Sequence, residues 1–253
     1  MDRMGASGAF DGGSIPSRCT DGPVAQLVEH CIRIAGVESS NLFRSTEVLF
    51  MIKRILHLIE QAGSLMEMPR SHKRTLGTTY DTIASHSHHV AVIAYCLARM
   101  EGLTHNQAMK ALTMGTFHDL AEARTGDMDF IAKHYCSPDE VQAVKDQFSG
   151  FSFGPDLQKL LEEYEEQKTL EARCAKDADS LEQLYQEWVL TWQGNKLAER
   201  WYEGDYNFRV PKMKTESAKK LAYELKKSHP HEWWWTQFVK HGKPVDQSKL
   251  TGK

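Results

Sequence analysis

Residues able to support metal chemistry are concentrated in one short segment of the chain, FHDLAE at positions 117–122. His118 and Asp119 are adjacent there, and neighbouring helical positions diverge by only about 100°, so both side chains could reach one ion. Glu122 returns to the face of His118, and Gly115, one turn earlier, leaves room for another helix or a ligand. Imidazole and carboxylate ligands together suit a divalent cation with positions open for water and a substrate oxygen. The alternative is an exposed His-Asp pair with a solvated glutamate, because such doublets also occur by chance.

A second candidate, His86, lies upstream in a histidine-rich stretch. On a helix over 85–100, His86 falls in the same stripe as Val90 and Leu97, so its side chain is expected to point into the core. A single inward histidine is more often a hydrogen-bonded core residue than a ligand. His86 is therefore a candidate ligand only in the company of the His-Asp doublet.

The elements that must position these side chains are predicted to be helices. Apolar spacing and capping residues predict helices over 51–63, 85–100, 104–123, 157–192 with an interruption near Thr169, and 215–227, and one more that Pro138 opens after a Ser137 cap. Gly126 stands where a C-cap is expected, and the basic stretch 69–80 indicates a loop. No alternating run of convincing length predicts a strand. The predicted fold class is all-α.

Composition narrows the functional classes. The net charge is −3 with 31 basic and 34 acidic residues, which argues against broad nucleic-acid binding. The longest apolar run, Val90–Ala98, is far shorter than the roughly 20 residues of a membrane span. Five scattered cysteines form no close pair, and no secretory signal is visible. We expect a cytoplasmic protein without membrane or nucleic-acid partners.

The N-terminal part differs from the rest. Met1–Pro23 is rich in Gly and Ser and predicts a disordered leader, whereas Gly22–Thr46 resembles a translated tRNA gene, with coding matches to the D-arm and the TΨC-arm. The hypothesis is that the true start lies near Met51; the alternative is an ordinary extension folded on the body. The predicted organisation is a leader or spurious extension at 1–50, a domain at 51–205, and a C-terminal helix and tail at 206–253 that packs on the domain.

Three segments in order resemble the motifs of HD-domain phosphohydrolases, in particular the branch that contains the 5′-deoxynucleotidases. They are HSHHVAVIAYCLA (86–98), FHDLAEARTGD (117–127) and TLEARCAKDADSLEQL (169–184). The resemblance extends over roughly Ile52–Trp201. It implies an all-helical HD-domain bundle around a divalent metal site.

The resemblance also implies the four metal ligands, which are His86, His118, Asp119 and Asp179. Helical periodicity does not support Asp179 as the fourth ligand, because it places Asp177 in the apolar stripe and Asp179 outside it. The motif match favours Asp179, and Asp177 remains the alternative.

Three further residues match functional positions of the family. Glu122 would act as the acid/base or orient the water, and Asp127 would be an auxiliary catalytic residue or, alternatively, an anchor for the next loop. Arg70 matches the arginine that approaches the substrate phosphate, where a guanidinium can bind two oxygens. In the family pattern Trp follows that arginine, whereas this chain has Ser71, so the base or sugar pocket is expected to differ.

These observations predict a phosphohydrolase that depends on Mn²⁺, Co²⁺ or Mg²⁺ and converts nucleoside or deoxynucleoside 5′-monophosphates to nucleoside and phosphate. The resemblance implies a homodimer, and the Trp233–Trp235 triplet is expected to cap the domain or its dimer partner. Two alternatives remain. The same site could cleave another phosphoester, such as a cyclic nucleotide or a nucleoside triphosphate, or the chain could be a non-catalytic regulatory module that binds metal or nucleotide.

Overall fold

The computed structural model describes residues 39–77, 81–240 and 243–244 of the chain, which divides into two compact units, Met1–Lys53 and Arg54–Lys253. The described residues form twelve α-helices, here α1 Ser39–Ser64, α2 Lys73–Leu76, α3 Ile83–Met100, α4 His105–Phe117, α5 Glu122–Thr125, α6 Phe130–Tyr135, α7 Glu140–Phe148, α8 Gly154–Glu166, α9 Leu170–Trp192, α10 Lys196–Arg209, α11 Glu216–Lys227 and α12 Glu232–Phe238. A short 3₁₀ turn, Val210–Lys212, follows α10, and the two-residue strands Val239–Lys240 and Lys243–Pro244 pair antiparallel. The all-α prediction is confirmed for this part of the chain, in which no helix is long and apolar enough to cross a membrane.

Helix α9 lies at the centre of the second unit and contacts α3, α4, α8, α10 and α11. Its buried residues lie on opposite faces, with Ala172 and Ala175 on one side and Leu181 and Trp188 on the other. The core that α9 shares with α3 and α4 is rich in small side chains, which let helices approach closely. The core alanines of these three helices are Ala94, Ala98, Ala108, Ala111, Ala172, Ala175 and Ala178.

Side-chain caps fix where the two longest core helices begin. The Ser85 N–H donates to Thr82 Oγ1 at 3.2 Å, and the Thr82 N–H donates to Ser85 Oγ at 2.9 Å, which forms a capping box. His86 therefore lies in the first turn of α3. Thr169 caps α9 by accepting from the Ala172 N–H at 3.3 Å, so the predicted interruption near Thr169 is confirmed.

Several predicted boundaries were wrong. Helix α7 begins at Glu140, not at Pro138, because Asp139 and not Ser137 is the N-cap; its Oδ1 accepts from the Gln142 N–H at 2.8 Å. The predicted loop at 69–80 contains the short helix α2, and helices α6, α10 and α12 were not predicted. Gly126 does follow a helix with a positive φ of 76°, as expected of a C-cap.

The described part of the N-terminal region is helical. Helix α1 begins at Ser39, upstream of the predicted start at Met51, and the rest of the predicted leader and of the tRNA-like segment lies outside the described residues. In the predicted helix over 51–63, the apolar residues Leu56 and Ile59 are 50% and 60% exposed when the described residues alone are considered. In the C-terminal triplet, Trp233 and Trp235 are also mainly exposed there.

Glu187 is a fully buried carboxylate in the second half of α9. Its Oε1 accepts from Gln183 Nε2 at 2.8 Å, and the carboxyl group of Asp205 lies close to it. Burial raises the pKa of Glu187 to about 7, helped by the charge of Asp205 and opposed by the Gln183 hydrogen bond and the charge of Arg209. At neutral pH and above, the folded state therefore carries part of the cost of a desolvated charge.

We expect Glu187→Gln to stabilise the protein above neutral pH. The pKa of Glu187 is higher in the folded state than the roughly 4.3 of an unfolded chain, so stability is lost as the pH rises from about 4 through 7. The variant should raise the free energy of unfolding by about 1–3 kcal/mol at pH 8 and by clearly less at pH 5. Urea denaturation in EDTA at both pH values measures this, with the exposed Glu203→Gln as control. A gain of equal size at both pH values would contradict the explanation.

Candidate metal centre

Helices α3 and α4 approach each other closely at Gly115. A Cβ atom at this position would lie 2.9 Å from the Cα and 3.0 Å from the backbone nitrogen of Ala91, so any side chain there would press on the backbone of α3. The expectation that Gly115 makes room for another helix is therefore met by α3. This contact brings His118, at the C-terminal end of α4, next to His86 in the first turn of α3.

His86, His118 and Asp119 form a compact cluster. The Nε2 atoms of the two imidazoles are 3.3 Å apart, and Asp119 Oδ2 lies 3.2 Å from His118 Nε2 and 3.4 Å from His86 Nε2. One ligand atom from each residue lies within 4.8 Å of the others. His118 Nδ1 lies 2.9 Å from the carbonyl oxygen of Gly115, which can only accept, so this nitrogen carries the proton and Nε2 is left to bind an ion.

The two aspartates of α9 have different surroundings. Asp179 Oδ1 lies 3.4 Å from His86 Nε2, and Asp179 Oδ2 accepts from the Tyr164 hydroxyl at 3.4 Å. Asp177 instead accepts from the Thr215 N–H and hydroxyl, both at 2.7 Å, and from the Lys214 N–H. Asp177 thus anchors the start of α11, whereas Asp179 borders the cluster.

Glu182 is a residue of this site that was not predicted from the sequence. This fully buried carboxylate lies 2.5 Å from His86 Nδ1, on the side of the ring away from the cluster, and 3.4 Å from His89 Nδ1. A signal was available, because Glu182 follows Asp179 by three residues and so lies on the same face of α9 one turn later.

Arg70 reaches the cluster from the loop before α2. Its NH1 donates to Asp119 Oδ2 at 3.3 Å and lies 3.5 Å from Asp127 Oδ2. Asp127 also accepts from the Ser71 N–H at 2.8 Å, so its contacts are those of an anchor for this loop. The Arg70 N–H in turn donates to the Asp81 carbonyl at 3.2 Å, which ties the loop to the segment before α3.

Glu122 begins α5 in the loop that follows the doublet. Its side chain is largely buried, and Oε2 has no hydrogen-bond partner among the described residues. Burial, together with the charges of Asp119 and Asp127, raises the pKa of Glu122 to about 9, and the charge of Arg70 opposes this increase. An orphaned buried carboxyl oxygen beside a candidate metal cluster is suited to bind a water molecule or a substrate atom.

The charges around His86 are arranged as in a cation site. Burial opposes a charge on His86, yet hydrogen bonds with Asp119, Asp179 and Glu182 hold its pKa well above the usual value. Burial alone would raise the pKa of Asp119, but the charges of His118 and His86 hold it well below its usual range. The groups around His86 are therefore mainly negatively charged carboxylates. A divalent cation bound there would displace the proton that His86 otherwise takes up. The donor set of imidazole nitrogens and carboxylate oxygens fits such an ion.

A cleft of about 210 Å³ lies beside the cluster. Its walls include Arg70, Asp127 and Asp179 together with Lys133 and the half-buried Trp201. A larger cavity of about 530 Å³ also has His118 in its lining, and this lining, which forms its rim, is rich in acidic residues. The acidic residues of this rim are Asp139, Glu140, Glu162, Glu165 and Glu166.

Comparison with known proteins identifies the family of the chain. The family description "HD domain" matches residues 62–232, which is more than half of the chain. The 5′-deoxynucleotidase HDDC2 of Dictyostelium discoideum is 28% identical over 127 residues, which cover 46% of this chain and 66% of that protein, just under two thirds of its length.

Solved structures are similar over most of their own length. One crystal structure from a genomics project shares 31% identity, with a TM-score of 0.59, and covers 72% of this chain and 99% of its own. A conserved hypothetical protein from Pyrococcus furiosus shares 26% identity with a TM-score of 0.58, over 68% of this chain and 99% of its own. A protein from Pyrococcus horikoshii shares 26% identity with a TM-score of 0.53, over 68% of this chain and 96% of its own.

Gly115→Ala should damage both stability and the metal site. The added methyl group must push α4 away from the backbone of α3, at a cost of about 1–3 kcal/mol, and separate His118 from His86. We expect a lower melting temperature and weaker Mn²⁺ binding by calorimetry. Gly204→Ala is the matched control, because it lies in α10 with nothing within 4 Å of an added Cβ and should be neutral or stabilising. Normal Mn²⁺ affinity in Gly115→Ala would show that the close approach does not set the site.

Proposed function

The chain belongs to the HD-domain family of metal-dependent phosphohydrolases, and from this premise we propose that it hydrolyses nucleoside or deoxynucleoside 5′-monophosphates to nucleoside and phosphate. His86, His118, Asp119 and Asp179 would hold a divalent cation, with Mn²⁺, Co²⁺ and Mg²⁺ as candidates. A homodimer and a cytoplasmic location stay predictions.

The observation that carries the proposal is the position of Arg70. Its guanidinium is largely buried, with 12% of the side chain exposed, and contacts Asp119 of the cluster while lining the adjoining cleft. The neighbouring carboxylates hold the pKa of Arg70 above its usual value although burial alone would lower it, so its charge is permanent. A phosphate bound at the cluster would meet this guanidinium, which can bind two of its oxygens.

The cleft suits the nucleoside better than the larger cavity does. Trp201 lines the cleft and offers an aromatic surface on which a base can stack, and Lys133 adds positive charge. The acidic rim of the other cavity would repel the phosphate. The proposed path of the substrate therefore passes Arg70 and Ser71, with the base toward Trp201.

A monophosphate is favoured over substrates that need two metal ions. Among the described residues, the His86, His118 and Asp119 group is the cluster that could hold an ion. A second ion would require additional histidine ligands. Of the remaining candidates, His89 contacts Glu182, and His88 and His134 are exposed. A different phosphoester remains the second candidate and is tested below.

The residues of the chain divide the chemistry among them. A bound divalent cation would supply an acidified water and neutralise charge on the phosphoryl group. Arg70 would orient and neutralise the phosphate, and Asp127 would hold Arg70 and Ser71 in place. Glu122 would hold the proton at Oε2 and deliver it to the leaving alkoxide, or orient the water.

The proposal predicts metal-dependent phosphate release from nucleoside 5′-monophosphates. The full chain, stripped with EDTA and reloaded with Mn²⁺, Co²⁺ or Mg²⁺, is assayed on ribo- and deoxyribonucleotides, with cyclic nucleotides and triphosphates in parallel. Release should fall to the EDTA background in His118→Ala/Asp119→Ala, because both ligands are lost. Turnover confined to the cyclic nucleotides or triphosphates would identify another phosphoester. No turnover in a folded, metal-bound protein would favour a regulatory module.

Glu122→Gln tests the assigned acid. The amide has nearly the same shape but cannot transfer a proton at Oε2, so kcat should fall by about 10²–10⁴-fold. Mn²⁺ should still bind, as measured by calorimetry. The exposed Glu60→Gln is the matched control and should keep full activity. Unchanged turnover in Glu122→Gln would remove this residue from the chemistry.

A further inference from the structure

Glu182 is a fully buried carboxylate held by three side chains. Its Oε2 lies 2.5 Å from His86 Nδ1, and its Oε1 accepts from Gln186 Nε2 at 2.8 Å and lies 3.4 Å from His89 Nδ1. Because no part of Glu182 is exposed to water, its carboxylate depends on these side chains for its hydrogen bonds.

The contact with His86 determines which nitrogen of that ring can bind an ion. A carboxylate oxygen 2.5 Å from His86 Nδ1 accepts a hydrogen bond from it, so the proton of a neutral His86 lies on Nδ1 and the lone pair lies on Nε2. That Nε2 atom faces His118 Nε2 at 3.3 Å and Asp119 Oδ2 at 3.4 Å. The same contact also fixes the rotation of the ring, since a rotated imidazole would leave Glu182 buried without a partner.

Glu182 is itself held in place at both oxygens. His89 lies one turn after His86 on α3, and Gln186 lies one turn after Glu182 on α9, so each helix contributes a supporting donor. Hydrogen bonds at both oxygens prevent the carboxylate from turning away from His86. A carboxylate serving only to join α3 to α9 would not need to face the Nδ1 atom of a candidate ligand.

We propose that Glu182 is the positioning residue that sets the affinity of this site for a divalent cation, by fixing His86 with Nε2 toward the ion, and that His89 and Gln186 hold its carboxylate in the required orientation. This inference rests on the metal site of the proposed function. Loss of a carboxylate behind a metal-bound histidine weakens metal binding by about 10–100-fold in other proteins.

The test compares two buried glutamates of the same helix. Calorimetric titration of the EDTA-stripped full chain with Mn²⁺ gives the Kd of the wild type, Glu182→Gln and Glu187→Gln, and thermal unfolding in EDTA gives their stability. Glu187 is as fully buried as Glu182 but bonds to Gln183 and not to a candidate ligand. We expect the Kd to rise by about 10–100-fold in Glu182→Gln and to stay unchanged in Glu187→Gln. The kcat of Glu182→Gln at saturating Mn²⁺ should change far less than its Kd.

A milder variant keeps the test decisive if Glu182→Gln does not fold. Gln186→Ala removes one supporting donor from a half-buried position and should raise the Kd for Mn²⁺ less than Glu182→Gln but measurably. If Glu182→Gln folds and its Kd for Mn²⁺ is unchanged, or if it does not fold and the Kd of Gln186→Ala is unchanged, the role of Glu182 is overturned. Weaker binding by His118→Ala in the same experiment would show that the metal site itself is correct. Failure of the wild type to bind Mn²⁺ would overturn the metal site and this inference together.

Discussion

The close approach of helices α3 and α4 is the constraint on which the rest of the candidate site depends. Gly115 leaves no side chain between the two backbones, so α4 lies directly against Ala91. This contact joins His86 and His118, which are 32 residues apart in the sequence, with their Nε2 atoms 3.3 Å apart. The small residues of the surrounding core also pack α9 against α3 and α4, so that a third helix can add its own carboxylates.

That packing also brings several carboxylates close together. Asp119, Asp179 and Glu182 surround the fully buried His86, and the guanidinium of Arg70 lies beside them. Like charges brought together in this way cost free energy unless a cation balances them. A bound divalent cation would offset this repulsion between carboxylates. The free energy of unfolding should therefore increase when the site is occupied.

Helices provide the candidate metal ligands of the site, whereas a loop provides the residue proposed to bind the phosphate. The candidate ligands come from α3, α9 and the end of α4, whose positions are fixed by packing. Arg70 comes from a loop that Asp127 and the Asp81 carbonyl tie down by hydrogen bonds. A loop of this kind can change its side chains without disturbing the helices, and this explains how substrate preference could vary over a common metal site.

The sequence by itself determined the all-helical fold class, the His118–Asp119 doublet and the inward face of His86, because each follows from local spacing. Local spacing could not decide between Asp177 and Asp179, and only the motif resemblance favoured Asp179. Since α9 is buried on opposite sides, its apolar stripe no longer marks one inward face. Only the tertiary structure shows Asp177 at the start of α11, Asp179 beside His86, and Glu182 behind the same ring. Periodicity reports which side chains are buried, whereas the partner that each one meets depends on how distant helices pack.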